Sequence, residues 1–389
     1  MAVISPLIKW LQLAAALLAA SAVSALPAQS FETKAKQAFL IDEASESILF
    51  SKNADELIPP ASLAKLMTME TVFHALGEGG VSLGDEFEVS EHAWRTGGAP
   101  SGGSAMFAKL KSKIRLEDLI RGVIIQSAND GAIVIAEGMA GSEPKFVEEM
   151  NQRAAALGLR KSVFKNATGL PAEGQVSTVR DLAKLGEHIW RSYPTFYAIY
   201  GEREFTWNKI TQRNRNPLLG MNIGADGLKT GFTEESGYAI VGSVKRGDTR
   251  LFLAMSGMAS DRERAKEARK LIDWGLDGFQ RVPMFAKGAA IGEVGVYGGT
   301  QSSLKLRAGG PVSLPVPTEA EQRIVARIVY QGPVAAPVSE GVPIGTLNVW
   351  IGDTLTQQTP LYAAESVGVG SLHQRAWDAI QELAIGWMR

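Results

Sequence analysis

Ser62 and Lys65 stand three residues apart, a spacing that puts a hydroxyl and an amine on one face of a helical turn. A hydroxyl is a poor nucleophile at its own pKa, so a serine that attacks an acyl carbon needs a base within hydrogen-bond reach. A lysine amine is such a base only when deprotonated, and burial and a nearby positive charge both push its pKa down. The spacing alone says little, because Ser142 with Lys145, Ser162 with Lys165 and Ser302 with Lys305 repeat it. Context separates the first pair: it lies in an apolar segment and is followed in order by Ser127-Ala128-Asn129 and Lys229-Thr230-Gly231. That ordered triple points to serine acyl transfer with Lys65 as base and Lys229 as the neighbouring cation.

Rigid elements must hold these groups. Pro59 and Pro60 end an extended stretch, and residues 61–76, apolar on nearly every side, predict a buried helix. Ser62 then falls in its first turn, where unpaired N–H groups and the helix dipole favour the oxyanion of a tetrahedral intermediate, with the Phe232 backbone as a second donor. Taken alone, Ser62 would read as a helix cap and Lys65 as a snorkelling side chain; the two further motifs outweigh that reading. Upstream, residues 39–41 and 48–50 read as a hairpin around 42–47. Helical runs at 116–125 and 132–139 flank a corner at 127–130, and Thr178 with Asp181 predicts a capped start for a helix at 179–190. Residues 227–232, 238–244 and 249–255 have the spacing of an antiparallel meander that carries Lys229 on its first strand, and 262–274 is helical. From 282 to about 367, short Val/Ile/Leu runs broken by Gly and Pro predict a separate all-β domain.

At 389 residues the chain is long enough for two folded units, and 45% hydrophobic with 21% charged residues is ordinary globular composition. Forty Lys and Arg against 41 Asp and Glu leave no field for a polyanion, so nucleic acid is not an expected partner. The absence of cysteine removes thiol nucleophiles, disulfides and thiolate metal sites. Four histidines, at 74, 92, 188 and 373, have no metal-ligand spacing, which disfavours a metallopeptidase, and no cofactor is expected. The stretch from Gly224 to Thr230 is like a phosphate-binding loop, but Leu228 stands where glycine must precede the lysine. At the amino terminus Lys9 precedes an apolar run, 11–20, that continues through small residues to Ala25 and Ala28, the pattern of a secretory signal rather than a retained membrane helix.

Pro60-Ala61-Ser62-Leu63-Ala64-Lys65, Ser127-Ala128-Asn129-Asp130, Asn166-Ala167-Thr168-Gly169-Leu170-Pro171 and Asp226-Gly227-Leu228-Lys229-Thr230-Gly231 resemble the low-molecular-mass penicillin-binding proteins, and within these the serine-type D-Ala-D-Ala carboxypeptidases. The resemblance implies an α/β catalytic domain of the penicillin-binding and β-lactamase type, an antiparallel sheet flanked by helices plus a helical lobe, then a small all-β domain and a C-terminal amphipathic helix. The division expected is 1–28 signal peptide, 29–281 catalytic domain, 282–367 β-rich domain and 368–389 surface helix. It further implies that Ser62 forms an acyl-enzyme with the penultimate D-Ala of a peptidoglycan stem peptide and that Lys65 is general base. Ser127 would relay a proton to the leaving amine, Asn129 hold the substrate amide, and Lys229 with Thr230 help bind the terminal carboxylate, with Gly231 and Phe232 beside them in the substrate site. β-Lactams would acylate Ser62 as mimics. Arg264 matches by spacing a guanidinium near the terminal carboxylate. Two departures are Phe232, where similar enzymes often carry His, and Ala128 in the middle motif.

At about 100° per residue, Leu372, Ala376, Trp377, Ile380, Leu383, Ala384 and Trp387 share one face of a terminal helix, with Gln374, Asp378, Gln381 and Arg389 opposite. A helix of this kind suits a membrane surface, which gives an exported, periplasmic enzyme peripheral to the outer face of the cytoplasmic membrane. Its mixed charge offers little extra attraction to anionic lipid. Three other readings stay open: a D,D-endopeptidase acting on cross-links, a β-lactamase, which the β domain and tail argue against, and a wall-binding scaffold without turnover.

Overall fold

Alternation and apolar runs build a sheet first. The computed structural model describes residues 31–318 and 323–385. Strands β1 (Gln37–Asp42) and β2 (Ser47–Lys52) form the hairpin read from the sequence. A turn of 3₁₀-helix, Ala61–Ala64, then leads into helix α1 (Lys65–Gly77). Helices α2 (Leu116–Ile125), α3 (Asn129–Ala140) and α4 (Glu143–Ala156) make up the helical lobe, and α5 (Val179–Ser192) returns the chain to the sheet. Thr178 caps α5 as expected, its Oγ1 accepting from the Asp181 N–H at 3.1 Å.

Strands β3 (Ala225–Thr233), β4 (Gly237–Arg246) and β5 (Thr249–Met258) form the meander, and α6 (Asp261–Asp277) packs against it. The five-stranded sheet has the order β2-β1-β5-β4-β3, antiparallel throughout, so β3 is an edge. An edge strand leaves alternate backbone groups unpaired within its sheet. Its free flank faces the 3₁₀ turn: a Cβ placed on Gly231 would lie 3.3 Å from the Pro60 carbonyl oxygen and 3.2 Å from the Ala61 Cβ. One apolar core joins Phe39 from the sheet, Leu66, Met67 and Phe73 from α1, Ile120 from α2 and Ile133 from α3.

Beyond α6 the chain is all β until its last helix. Strands β6 (Phe279–Phe285), β7 (Gly292–Tyr297), β8 (Ser303–Ala308), β9 (Val312–Pro317), β10 (Ile324–Tyr330), β11 (Val334–Ala335), β12 (Pro343–Ile351) and β13 (Thr354–Ala363) form a two-stranded ladder β6-β9 and a six-stranded sheet β10-β12-β13-β8-β7-β11. They enclose a second apolar cluster that includes Leu304, Leu306, Leu314, Leu347 and Leu361. The two clusters share no residue; β13 touches β2, and the Arg281 guanidinium reaches the buried Asp42 carboxylate across the seam. Helix α7 (Leu372–Ile385) follows, tethered where the Gly298 N–H donates to the Asp378 carboxylate at 2.8 Å. Among the described residues, no helix is long and apolar enough to cross a membrane. The expected signal segment, 1–28, and Trp387 of the terminal face lie outside the described residues.

The structure differs from the sequence reading in two local respects. Residues 61–76 are not one helix: Ala61 takes a left-handed φ of +48°, so Ser62 sits in a tight 3₁₀ turn and the α-helix begins at Lys65. The corner at 127–130 is also shorter than expected, because α3 already starts at Asn129; the reversal is made at Ser127, φ +60°.

Candidate active site

Ser62, Ser127, Thr230, Gly231, Phe232 and Arg264, which reach the surface from four different segments, line one cleft of about 440 Å³ together with Ser104, Arg215, Tyr238 and Asp261. Lys65 lies beneath it, 1% exposed, its Nζ 3.1 Å from the Ser62 Oγ. The same Nζ donates to the Asn129 Oδ1 at 2.7 Å and to the Thr168 carbonyl at 2.5 Å. Burial, then the positive Arg215, push its pKa down to about 7, against a partial opposing pull from Asp130. Lys229, 3% exposed, donates to the Ser127 Oγ at 2.9 Å and to the Thr230 carbonyl at 3.0 Å. Its pKa is lowered well below an ordinary lysine's, by burial first and then by Lys65, Arg215 and Arg264.

Each partner is fixed from behind. The loop after α4 is tied by Asn166, whose Oδ1 accepts from the Gly169 N–H at 2.7 Å, and by Glu143, which accepts the Ala167 N–H at 2.9 Å. Thr68 on α1 donates to the Ala167 carbonyl at 2.7 Å, so the Thr168 oxygen cannot swing away from Lys65. Gly169, at φ +79°, passes so close to the turn that carries Ser62 that a Cβ there would lie 1.8 Å from the Ala61 carbonyl oxygen. Asp130 accepts the N–H groups of Met106 and Ala108, both at 2.9 Å, and the Ser104 carbonyl accepts the Asn129 N–H at 2.8 Å. These bonds hold the Ser104 loop over the start of α3. Two non-glycine residues in the left-handed region, Ala61 and Ser127, therefore aim the two hydroxyls, a placement of backbone strain typical of functional sites.

Arg264 is 6% exposed, with its guanidinium 5.6 Å over the Tyr238 ring and paired to Asp261; its Nε has no partner in the structure. Phe232 is half exposed and packs in a tilted contact against Tyr238. Every residue expected in the site is thus in or directly under the cleft. The Asn129 side-chain oxygen is held by Lys65. The other Ser-x-x-Lys match with a buried serine is spent on structure: the Ser162 hydroxyl is tied to Ser177 and Asp181, each at 2.8 Å. Sequence reasoning missed Arg215, Ser104 and the Thr168 carbonyl. Arg215 sits between two asparagines in a stretch without motif, and a backbone oxygen leaves no residue-type signal at all.

Fold and cleft together are those of a serine-type acyl-transfer hydrolase, with a serine hydroxyl and a buried lysine amine side by side. The chain matches the D-alanyl-D-alanine carboxypeptidase family over residues 22–259 and the penicillin-binding protein 5 C-terminal domain over residues 279–369. It is 39% identical to the D-alanyl-D-alanine carboxypeptidase DacC of Escherichia coli over 88% of this chain and 86% of that protein. Penicillin-binding protein 5 from Haemophilus influenzae superposes with a TM-score of 0.75 at 34% identity, covering 87% of this chain and 99% of that one. Penicillin-binding protein D2 from Listeria monocytogenes, in its ampicillin-bound form, superposes with a TM-score of 0.56 at 29% identity over 64% of this chain and 99% of that one. The chain belongs to the D-alanyl-D-alanine carboxypeptidase family, and its function is that of a D-Ala-D-Ala carboxypeptidase.

Proposed function

We propose that Ser62 is the nucleophile, Lys65 its base and Ser127 the proton relay to the leaving amine, acting on the terminal D-Ala-D-Ala of a peptidoglycan stem peptide. One observation carries this reading: the partners of the Lys65 Nζ. A neutral amine has two N–H bonds and one lone pair. The Asn129 and Thr168 oxygens can only accept and so take both N–H bonds, which turns the lone pair toward the Ser62 hydroxyl.

In this reading Lys65 takes the Ser62 proton as Oγ bonds to the penultimate D-Ala carbonyl carbon. The resulting oxyanion is met by the backbone N–H groups of Ser62 and Phe232. The C–N bond breaks, and the leaving amine receives a proton from the Ser127 hydroxyl, which the Lys229 ammonium can replenish across 2.9 Å. Acylation leaves Lys65 protonated and Lys229 neutral; once Lys65 has lost that proton to solvent and Lys229 has regained one, Lys65 deprotonates the water that attacks the ester carbon and returns the proton to the departing Ser62 Oγ. Arg264, Arg215 and Thr230 suit the terminal carboxylate, and the unpartnered Arg264 Nε favours that assignment. β-Lactams acylate Ser62 as substrate mimics, in keeping with the ampicillin-bound relative.

The test is D-Ala release from a pentapeptide: Ser62→Ala and Lys65→Ala each lower kcat/KM more than tenfold, because nucleophile and base act as a unit. Intact mass after penicillin should show one adduct, located on the peptide that carries Ser62. Comparable activity in either variant would refute the assignment.

We further propose that residues 1–28 direct export and are removed, and that α7 lies on the outer face of the cytoplasmic membrane. Leu372 and Trp377 on the expected apolar face are 75% and 61% exposed, which supports a docking helix.

A further inference from the structure

Phe232 is a large apolar side chain left half exposed in a cleft whose remaining walls are mostly polar or charged. Its ring packs against Tyr238 with centroids 4.3 Å apart and the planes tilted by 36°, so the two make a continuous aromatic lip. Ser62 and Arg264 line the same cleft. If Ser62 is the nucleophile and Arg264 an anchor for the terminal carboxylate, the residue that leaves spans the space between them. Its nitrogen is at the scissile bond and its carboxylate at the guanidinium, so its side chain has to lie within those walls. A single methyl group fills little of about 440 Å³, and it would leave the aromatic lip wet.

We propose that Phe232, backed by Tyr238, is a specificity-determining residue: it forms an apolar subsite for the side chain of the leaving residue. The enzyme then releases C-terminal D-residues with larger apolar side chains, of leucine or phenylalanine size, as well as D-alanine. Covering the exposed ring is the driving force, since apolar contact grows with the carbon atoms added. The reaction is unchanged: the same C–N bond is hydrolysed and a free D-amino acid departs. A cationic side chain of similar length gains nothing, because Lys229, Arg215 and Arg264 load the site with positive charge and the one carboxylate in its lining, Asp261, is already paired to Arg264. This inference rests on the nucleophile and anchor assigned above.

The experiment offers the full-length protein four peptides that differ only in the last residue: D-Ala, D-Leu, D-Phe and D-Lys. Expected are kcat/KM values for D-Leu and D-Phe within tenfold of D-Ala, and D-Lys at least tenfold below D-Leu. Phe232→Ser should lower the ratio of D-Leu to D-Ala release by tenfold or more, the scale on which apolar pockets discriminate. Phe232→Leu, which keeps apolar bulk, should hold that ratio within threefold of the parent. Rates for D-Leu and D-Phe more than tenfold below D-Ala, or an unchanged ratio in Phe232→Ser, would overturn the subsite. Absence of both D-Ala release and a penicillin adduct at Ser62 would instead remove the reading on which it rests.

Discussion

A buried lysine is a costly object, and Lys65 is useful because of that cost. With its pKa near 7, it holds a proton below that pH and cannot accept another from Ser62. The acid limb of kcat/KM should therefore rise about tenfold per pH unit and level off above about pH 7. Lys229 works in the opposite sense, as the ammonium behind Ser127. Since its pKa is also lowered, the alkaline limb should fall before the pH at which an ordinary lysine titrates, about 10.4. A pH profile of D-Ala release, flat from pH 5 to 10, would contradict both assignments. At this scale the sequence was informative where chemistry is carried by residue type: Ser62 and Lys65 stood out once Ser127-Ala128-Asn129 and Lys229-Thr230-Gly231 followed them in order. It was silent on the Thr168 carbonyl, which becomes a lysine partner only because a loop 103 residues away is tied to α1. It was equally silent on Arg215, whose charge matters through space and not through spacing.

Secondary structure was more legible than the joints between elements. Apolar periodicity placed α2 at its observed ends, and turn spacing located the β3-β4-β5 meander. What periodicity could not reveal was the strained geometry at Ala61 and Ser127, because left-handed φ at a non-glycine residue is imposed by tertiary contacts and opposes local preference. The nucleophile turn and the Gly169 loop form one such imposed joint. Gly169→Ala would add a Cβ into the Ala61 carbonyl and strain a positive φ. Expected are a loss of D-Ala release greater than tenfold and a destabilisation on the order of 1–3 kcal/mol. A variant with parental rate of acylation by penicillin and unchanged Tm would show that the turn can move aside freely.

For the molecule as a whole, the change of texture read near residue 282 falls within β6 (Phe279–Phe285), the first strand after α6, while the seam between the two bodies had no sequence signature. The terminal helix hangs on that second body through Asp378, and the chain just before it is secured where Val338 and Val367 exchange backbone bonds of 2.9 and 2.8 Å. Truncation after Val367 keeps that bridge, so the shortened protein should stay folded and active on soluble peptide while leaving the membrane fraction. Continued sedimentation with membranes would count against the tail as anchor. The two apolar clusters, disjoint in membership and meeting where β9 and β13 pack on β2, carry a calorimetric consequence. Heating should resolve two endotherms rather than one, and a covalently bound drug stabilises only the body that holds it. Loading the protein with penicillin should move one peak upward and leave its companion where it was.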